Sequence, residues 1–217
     1  GNWQEIFEIV GGDSLRQGLT IPAFYTNSLG EKLLLMGNTT VYKIFDGAYP
    51  KGYATPHLIA YNKTKDTIEY KVQLYEPGLT NRVDWSPKVL GDKVYLTLST
   101  GITCHNAATG ERIWMVETPG DFLFSGMLIA ENGLIYANRD GGDPTLYCID
   151  PENGRIIWQK PSAGTSSPIV YHKNVLYFVG GSTGKLHIVD ANSGVTLHKI
   201  TAPSQYENSN DFFNTAG

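Results

Sequence analysis

The chain has 217 residues, a formal net charge of −4, 24 glycines and an aromatic content of 12%. Its 17 Lys and Arg are scattered and not run together, which argues against a nucleic-acid partner held through its phosphates. No apolar stretch approaches the roughly 18 residues of a membrane-spanning helix, and the length suffices for one all-β domain with a real core.

Gly1 reads as a residue left by tag removal, so the lack of a leader says nothing about the native protein. The stretch Trp3-Gln4-Glu5-Ile6-Phe7-Glu8-Ile9 then reads as the outer strand of a preceding unit, with 1–19 as that strand and a linker. Four units follow, at about 20–76, 85–119, 124–162 and 166–202, the first with an insertion around residues 45–53. Each unit opens with two β-prone runs across a tight turn: Lys88-Val89-Leu90 and Lys93–Leu96, Met127–Ala130 and Leu134–Ala137, Ile169–Tyr171 and Val175–Phe178. Tyr95, Tyr136 and Tyr177 mark the same place in successive units. A third run, such as Leu146–Ile149, leads through Asp150-Pro151-Glu152-Asn153-Gly154 into a fourth, Arg155–Gln159. Residues 203–217, with Phe212-Phe213, read as the entry to a further unit.

The third-to-fourth turn is the recurring element. Its sharpest copies are Asp150…Gly154…Trp158 and Asn106…Gly110…Trp114; Asp190, Gly194, His198 and Asn62, Asp66, Tyr70 keep the spacing. First positions at 62, 106, 150 and 190 give steps of 44, 44 and 40, a period typical of propeller blades. Asp or Asn accepts bonds from backbone N–H groups ahead of it, and Gly supplies the positive φ that ends the turn. Each unit is therefore a four-stranded antiparallel meander, and the fold class is all-β.

These residues resemble the tryptophan-docking repeat of the pyrroloquinoline-quinone-type (PQQ-like) β-propellers, the family of quinoprotein alcohol dehydrogenases and of the propeller lipoprotein of outer-membrane protein assembly. The likeness covers about residues 20–202, strong in the middle copies and degenerate at Tyr70 and His198. It implies that Trp3, Asn62, Tyr70, Asn106, Gly110, Trp114, Asp150, Gly154, Trp158, Asp190 and Gly194 serve a structural docking motif. It also implies that residues 1–217 form one propeller domain, or a fragment of a larger seven- or eight-bladed ring.

Chemistry is thinner than architecture. Cys104 and Cys148 fall at equivalent places in consecutive units, too far apart for a disulfide, and read as buried free thiols. The adjacent cysteine pair that covers the quinone in the family's dehydrogenases is absent, and no clear Glu, Asn and Asp set for its calcium stands out. Neither PQQ nor Ca²⁺ is expected, and no metal site or catalytic residue is assigned. Asn138-Arg139-Asp140-Gly141-Gly142-Asp143 carries two carboxylates of a kind that hold Ca²⁺ but reads as a hairpin loop. Asn38-Thr39-Thr40 and Asn62-Lys63-Thr64 match the glycosylation acceptor pattern. The loops joining successive units combine acidic, basic and aromatic residues, and give the ligand-binding candidates Arg82, Asp84, Trp85, Asp121, Phe122, Asp211 and Phe212. The bland reading packs Trp85, Phe124 and Phe213 between blades. The leading expectation is a non-enzymatic scaffold for a protein or a surface polysaccharide, periplasmic, outer-membrane-associated or extracellular in a bacterium. The alternatives are a quinone-dependent oxidoreductase and the propeller domain of a larger enzyme or receptor. Open propeller ends would favour self-association.

Overall fold

The computed structural model describes residues 16–46, 49–76, 82–83, 85–118, 124–139, 144–161, 163, 167–180 and 185–201. Trp3, Asp84, Asp121, Phe122, Asp211 and Phe212 lie outside them. The chain divides into two compact units, Gly1–Asp121 and Phe122–Gly217.

In the first unit, β1 (Arg16–Leu19), β2 (Ala23–Thr26), β3 (Lys32–Asp46), β4 (Tyr49–Asn62) and β5 (Thr67–Gln73) make one sheet. A second holds β6 (Lys88–Leu90), β7 (Lys93–Leu98), β8 (Gly101–Asn106) and β9 (Arg112–Glu117) in sequence order. The second unit repeats that meander twice. Its sheets are β10 (Phe124–Ile129), β11 (Ile135–Arg139), β12 (Thr145–Ile149) and β13 (Ile156–Pro161), then β14 (Val170–His172), β15 (Val175–Val179), β16 (Leu186–Asp190) and β17 (Thr196–Ile200). Every pairing is antiparallel, as short connections demand.

The first sheet departs from the four-strand expectation. The insertion around 45–53 lengthens the β3–β4 hairpin, so that Asp46 pairs with Tyr49 and Leu33 with Asn62. A strand that long outreaches β2, and β1 pairs with its far half, Leu19 opposite Asn38. The sheet has five strands for that reason.

The two middle strands of each meander carry the core. β7, β8, β11 and β12 are buried almost throughout, whereas β9, β13 and β17 are largely exposed. One core of the first unit joins Leu33, Leu35, Leu58 and Ala60 of the first sheet to Val94, Leu96 and Leu98 of the second. Its counterpart in the second unit joins Tyr136, Leu146 and Cys148 to Leu176, Phe178 and Val189. Sheet-on-sheet packing thus removes both faces of the middle strands from water, at about 25 cal/mol per Å² of apolar surface.

Candidate functional site

Each repeat turn is closed by its own first residue. Asn106 Oδ1 accepts from the N–H groups of Ala108 and Thr109 at 2.8 and 3.0 Å, and its carbonyl accepts from Gly110 N–H at 2.8 Å. Asp190 repeats this with the Ser193 N–H and hydroxyl at 2.8 and 2.7 Å, bonds that hold its carboxyl below the usual range. Asp150 accepts from Glu152 N–H and Asn62 from those of Thr64 and Lys65. Gly110, Gly154 and Gly194 end their turns at φ of 76°, 75° and 71°, where a side chain is strained. In the first copy Asp66 fills that place at φ 59°.

The glycines have a second function. A Cβ on Gly110 would sit 2.7 Å from the Tyr70 ring, and one on Gly194 would sit 2.8 Å from Trp158. The Tyr70 hydroxyl donates to the Ala107 carbonyl at 2.9 Å, and Trp158 Nε1 donates to the Ala191 carbonyl at 3.0 Å. In both cases the aromatic of one sheet's outer strand seats on the turn of the next. Tyr136 adds a second bond to the Ala191 carbonyl at 3.1 Å and lies 6.0 Å from the Trp158 ring. Burial pushes its hydroxyl up to about 12. Trp114 lies 5.9 Å from Tyr95, the equivalent tyrosine. His198 is exposed.

Most residues with chemical potential are absorbed in this frame. Cys104 and Cys148 are buried and form no disulfide. Burial pushes the Cys148 thiol up to about 11, against a Tyr136 hydrogen bond that pulls it down. His105 is 2% exposed, its Nδ1 2.9 Å from the Gly110 carbonyl and its Nε2 2.8 Å from Thr103 Oγ1. Burial pulls it below the ordinary histidine range. Asn38 and Asn62 are fully buried, so neither glycosylation tripeptide offers its amide; Asn38 Nδ2 donates to the Gly18 carbonyl at 3.3 Å. Of the loop candidates, Arg82 and Trp85 fall on the connection between β5 and β6, both exposed, Trp85 at 42%. The Arg82 backbone is tied to Ser99.

A quinone with calcium would need a covering cysteine pair and a converging oxygen set. The two cysteines stand in separate units, buried, and no group of three His, Cys, Asp or Glu side chains converges among the described residues. Glu31 and Glu69 come together around Lys65, each 3.0 Å from its ammonium, with Asn62 donating to both. Those carboxylates already hold a cation. Among the described residues no adjacent cysteine pair and no such cluster comes together.

Sequence reasoning missed a groove of about 930 Å³ between the outer strands of the first unit, lined by Val72, Tyr75, Glu76, Glu111, Met115 and Glu117 among others. The Tyr75 hydroxyl donates to Glu117 Oε1 at 3.1 Å across it. Only the packing of one sheet on another brings these residues together, and no local motif announces it.

No curated protein matches the sequence. Among solved structures, BamB from Moraxella catarrhalis is similar at 18% identity and a TM-score of 0.52, over 68% of this chain and 49% of that one. The quinohemoprotein alcohol dehydrogenase ADHIIG from Pseudomonas putida gives 12% and 0.56, over 74% and 32%. A europium-containing methanol dehydrogenase gives 11% and 0.54, over 83% and 53%. The chain thus spans about half the length of that BamB, and at these identities the likeness concerns the fold, a β-propeller of antiparallel blades. The family described as outer membrane protein assembly factor BamB, built of PQQ-like repeats, matches residues 54–215, and the chain belongs to it.

Proposed function

We propose that the chain is a non-enzymatic binding scaffold of the cell envelope or the cell exterior, part of a larger propeller ring that takes a protein or a surface polymer. The observation that carries this reading is the family match over residues 54–215, whose description is that of an assembly factor. The site chemistry supports it. The motif carboxylates and amides close turns, the docked aromatics hold sheet to sheet, and His105 and the two cysteines are buried in the frame. Arg82 and the half-exposed Trp85 supply the polar and aromatic contacts typical of a recognition surface. Among the described residues no helix is long and apolar enough to cross a membrane.

The quinone-dependent reading draws on the dehydrogenases that share the fold. A fold hosts many functions, and function is argued from the site. Titrating the purified chain with pyrroloquinoline quinone and Ca²⁺, while following tryptophan fluorescence and dye reduction, separates the readings. A scaffold gives no saturable quenching and no reduction. Quenching that saturates at micromolar quinone overturns the scaffold.

A further inference from the structure

We propose that two copies of this chain dock head to tail, the open row of the last sheet of one copy seating on the open row of the first sheet of the other. The inference goes beyond the scaffold reading and rests on how sheets pack within each unit.

In the second unit a cross-strand row of one sheet meets a row of the next. Leu128, Tyr136, Cys148 and Trp158 stand in register from β10 to β13, and Tyr171, Leu176 and Val189 from β14 to β16. Both rows belong to one core, in which the Tyr136 and Tyr171 rings stack at 6.3 Å. Trp158 completes the contact on the Ala191 carbonyl and against Gly194.

Each end of the chain holds one half of such a contact. The last sheet carries Val170, Tyr177, Ile188 and His198 in the places of Leu128, Tyr136, Cys148 and Trp158. Tyr136 and Cys148 are fully buried, whereas Val170 is 57% exposed, Tyr177 and Ile188 are half-buried and His198 is exposed. The first sheet carries Phe24, Leu34, Tyr61 and Ile68 in one row, with Phe24 in the place of Tyr171. Phe24 and Ile68 are 71% and 39% exposed. Two different patches that fit each other make a heterologous contact, which passes from copy to copy. Such a contact sets Tyr177 of one copy against Phe24 of the other, as Tyr136 stands against Tyr171.

The degenerate copies of the motif select the occupant. Gly110 and Gly194 leave room for the Tyr70 and Trp158 rings. The Asn62 turn has Asp66 there instead, at φ 59°, with a Cβ where those rings sit. An indole seated as Trp158 is on Gly194 would collide with it. His198 brings a smaller ring, and its N–H can donate to the Lys63 carbonyl, which follows Asn62 as Ala191 follows Asp190. The reduced docking residue and the obstructed turn therefore suit each other, and a second copy supplies the match.

The test is light scattering on the full chain and on variants at exposed positions, with circular dichroism to show that each is folded. Wild type should exceed 23.9 kDa. Phe24→Lys and Val170→Lys should each fall to 23.9 kDa alone. An equal mixture of the two should associate again, because each keeps the row that the other lacks. His198→Trp should weaken association about tenfold, and His198→Trp with Asp66→Gly should restore it. A Val170→Lys chain that still associates, or a mixture that stays monomeric, overturns the head-to-tail contact. A His198→Trp chain that associates as tightly as wild type overturns the seating at Asp66. A monomeric wild type assigns both rows to further blades of a longer polypeptide and overturns the second copy. None of these masses depends on quinone binding, so the scaffold reading is judged separately by its titration.

Discussion

At Gly194 two demands meet in one atom: a φ of 71° that L side chains rarely adopt, and a Trp158 ring 2.8 Å from where a Cβ would stand. Gly30 has a similar φ of 76° with nothing within 4 Å, and so isolates the backbone contribution. Gly30→Ala should cost about 1 kcal/mol, the strain of a left-handed alanine. Gly194→Ala and Gly110→Ala should cost about 2–4 kcal/mol, because a docked ring must also move. Urea midpoints measure the difference, and equal losses at 30 and 194 would show that the ring is not seated. Trp158→Ala should cost about 3 kcal/mol, the low end for a large aromatic because the ring is only part-buried. His198→Ala should shift stability by under about 0.5 kcal/mol, as at other exposed positions. Equal shifts for the two would contradict the docking geometry.

Single strands carry the acid sensitivity. His57 on β4, His105 on β8 and His187 on β16 are each pulled below the ordinary histidine range, first by burial. Lys71 adds to this at His57, and Lys199, Lys160 and Lys185 add to it at His187. The folded chain therefore binds fewer protons at these sites than the unfolded chain does. Their contribution is present above about pH 6.5, the unfolded value, and is lost as pH falls toward the depressed folded values. The urea midpoint should drop between about pH 7.5 and about pH 5.5, and His105→Gln should flatten that drop. A midpoint that rises in acid would reverse the assignment. At the same scale, the β3–β4 hairpin shows how an insertion is absorbed: the two strands stay in register from Leu33–Asn62 to Asp46–Tyr49, and β1 pairs with Asn38–Val41 of the lengthened strand.

For the molecule as a whole, the exposed apolar side chains gather unevenly. Phe24 pairs with Leu34 as Val89 pairs with Val94 and Tyr171 with Leu176. Val89 and Tyr171 pack against the cores of their units, whereas Phe24 is 71% exposed, and Ile21 before β2 and Leu29 after it are 77% and 78% exposed. Large apolar side chains left this exposed invite a covering partner. The isolated chain is expected to self-associate, and light scattering should report a mass above 23.9 kDa that Phe24→Ser lowers. A wild-type mass of 23.9 kDa would show that this face is satisfied within one chain.

The repeat turns, the strand order and the all-β class were legible in the sequence, because each depends on residues within a few positions. An Asp or Asn that caps its own turn and a Gly that takes positive φ leave a spacing of four at 106, 150 and 190, and Asp66 keeps that spacing after Asn62. The burial of Cys104 and Cys148 was legible too, since each falls on the third strand of its meander, a middle strand covered on both faces. The fifth strand of the first sheet was not, because its pairing spans Leu19 to Asn38 and depends on how far β3 outruns β2. Nor was the burial of Asn38 and Asn62, whose tripeptides look the same whether the amide faces water or the core. The groove at Tyr75 and Glu117 joins residues 42 positions apart. Local chemistry writes the turn and the strand into the sequence, while the distance between two outer strands is set only when one sheet packs on the next.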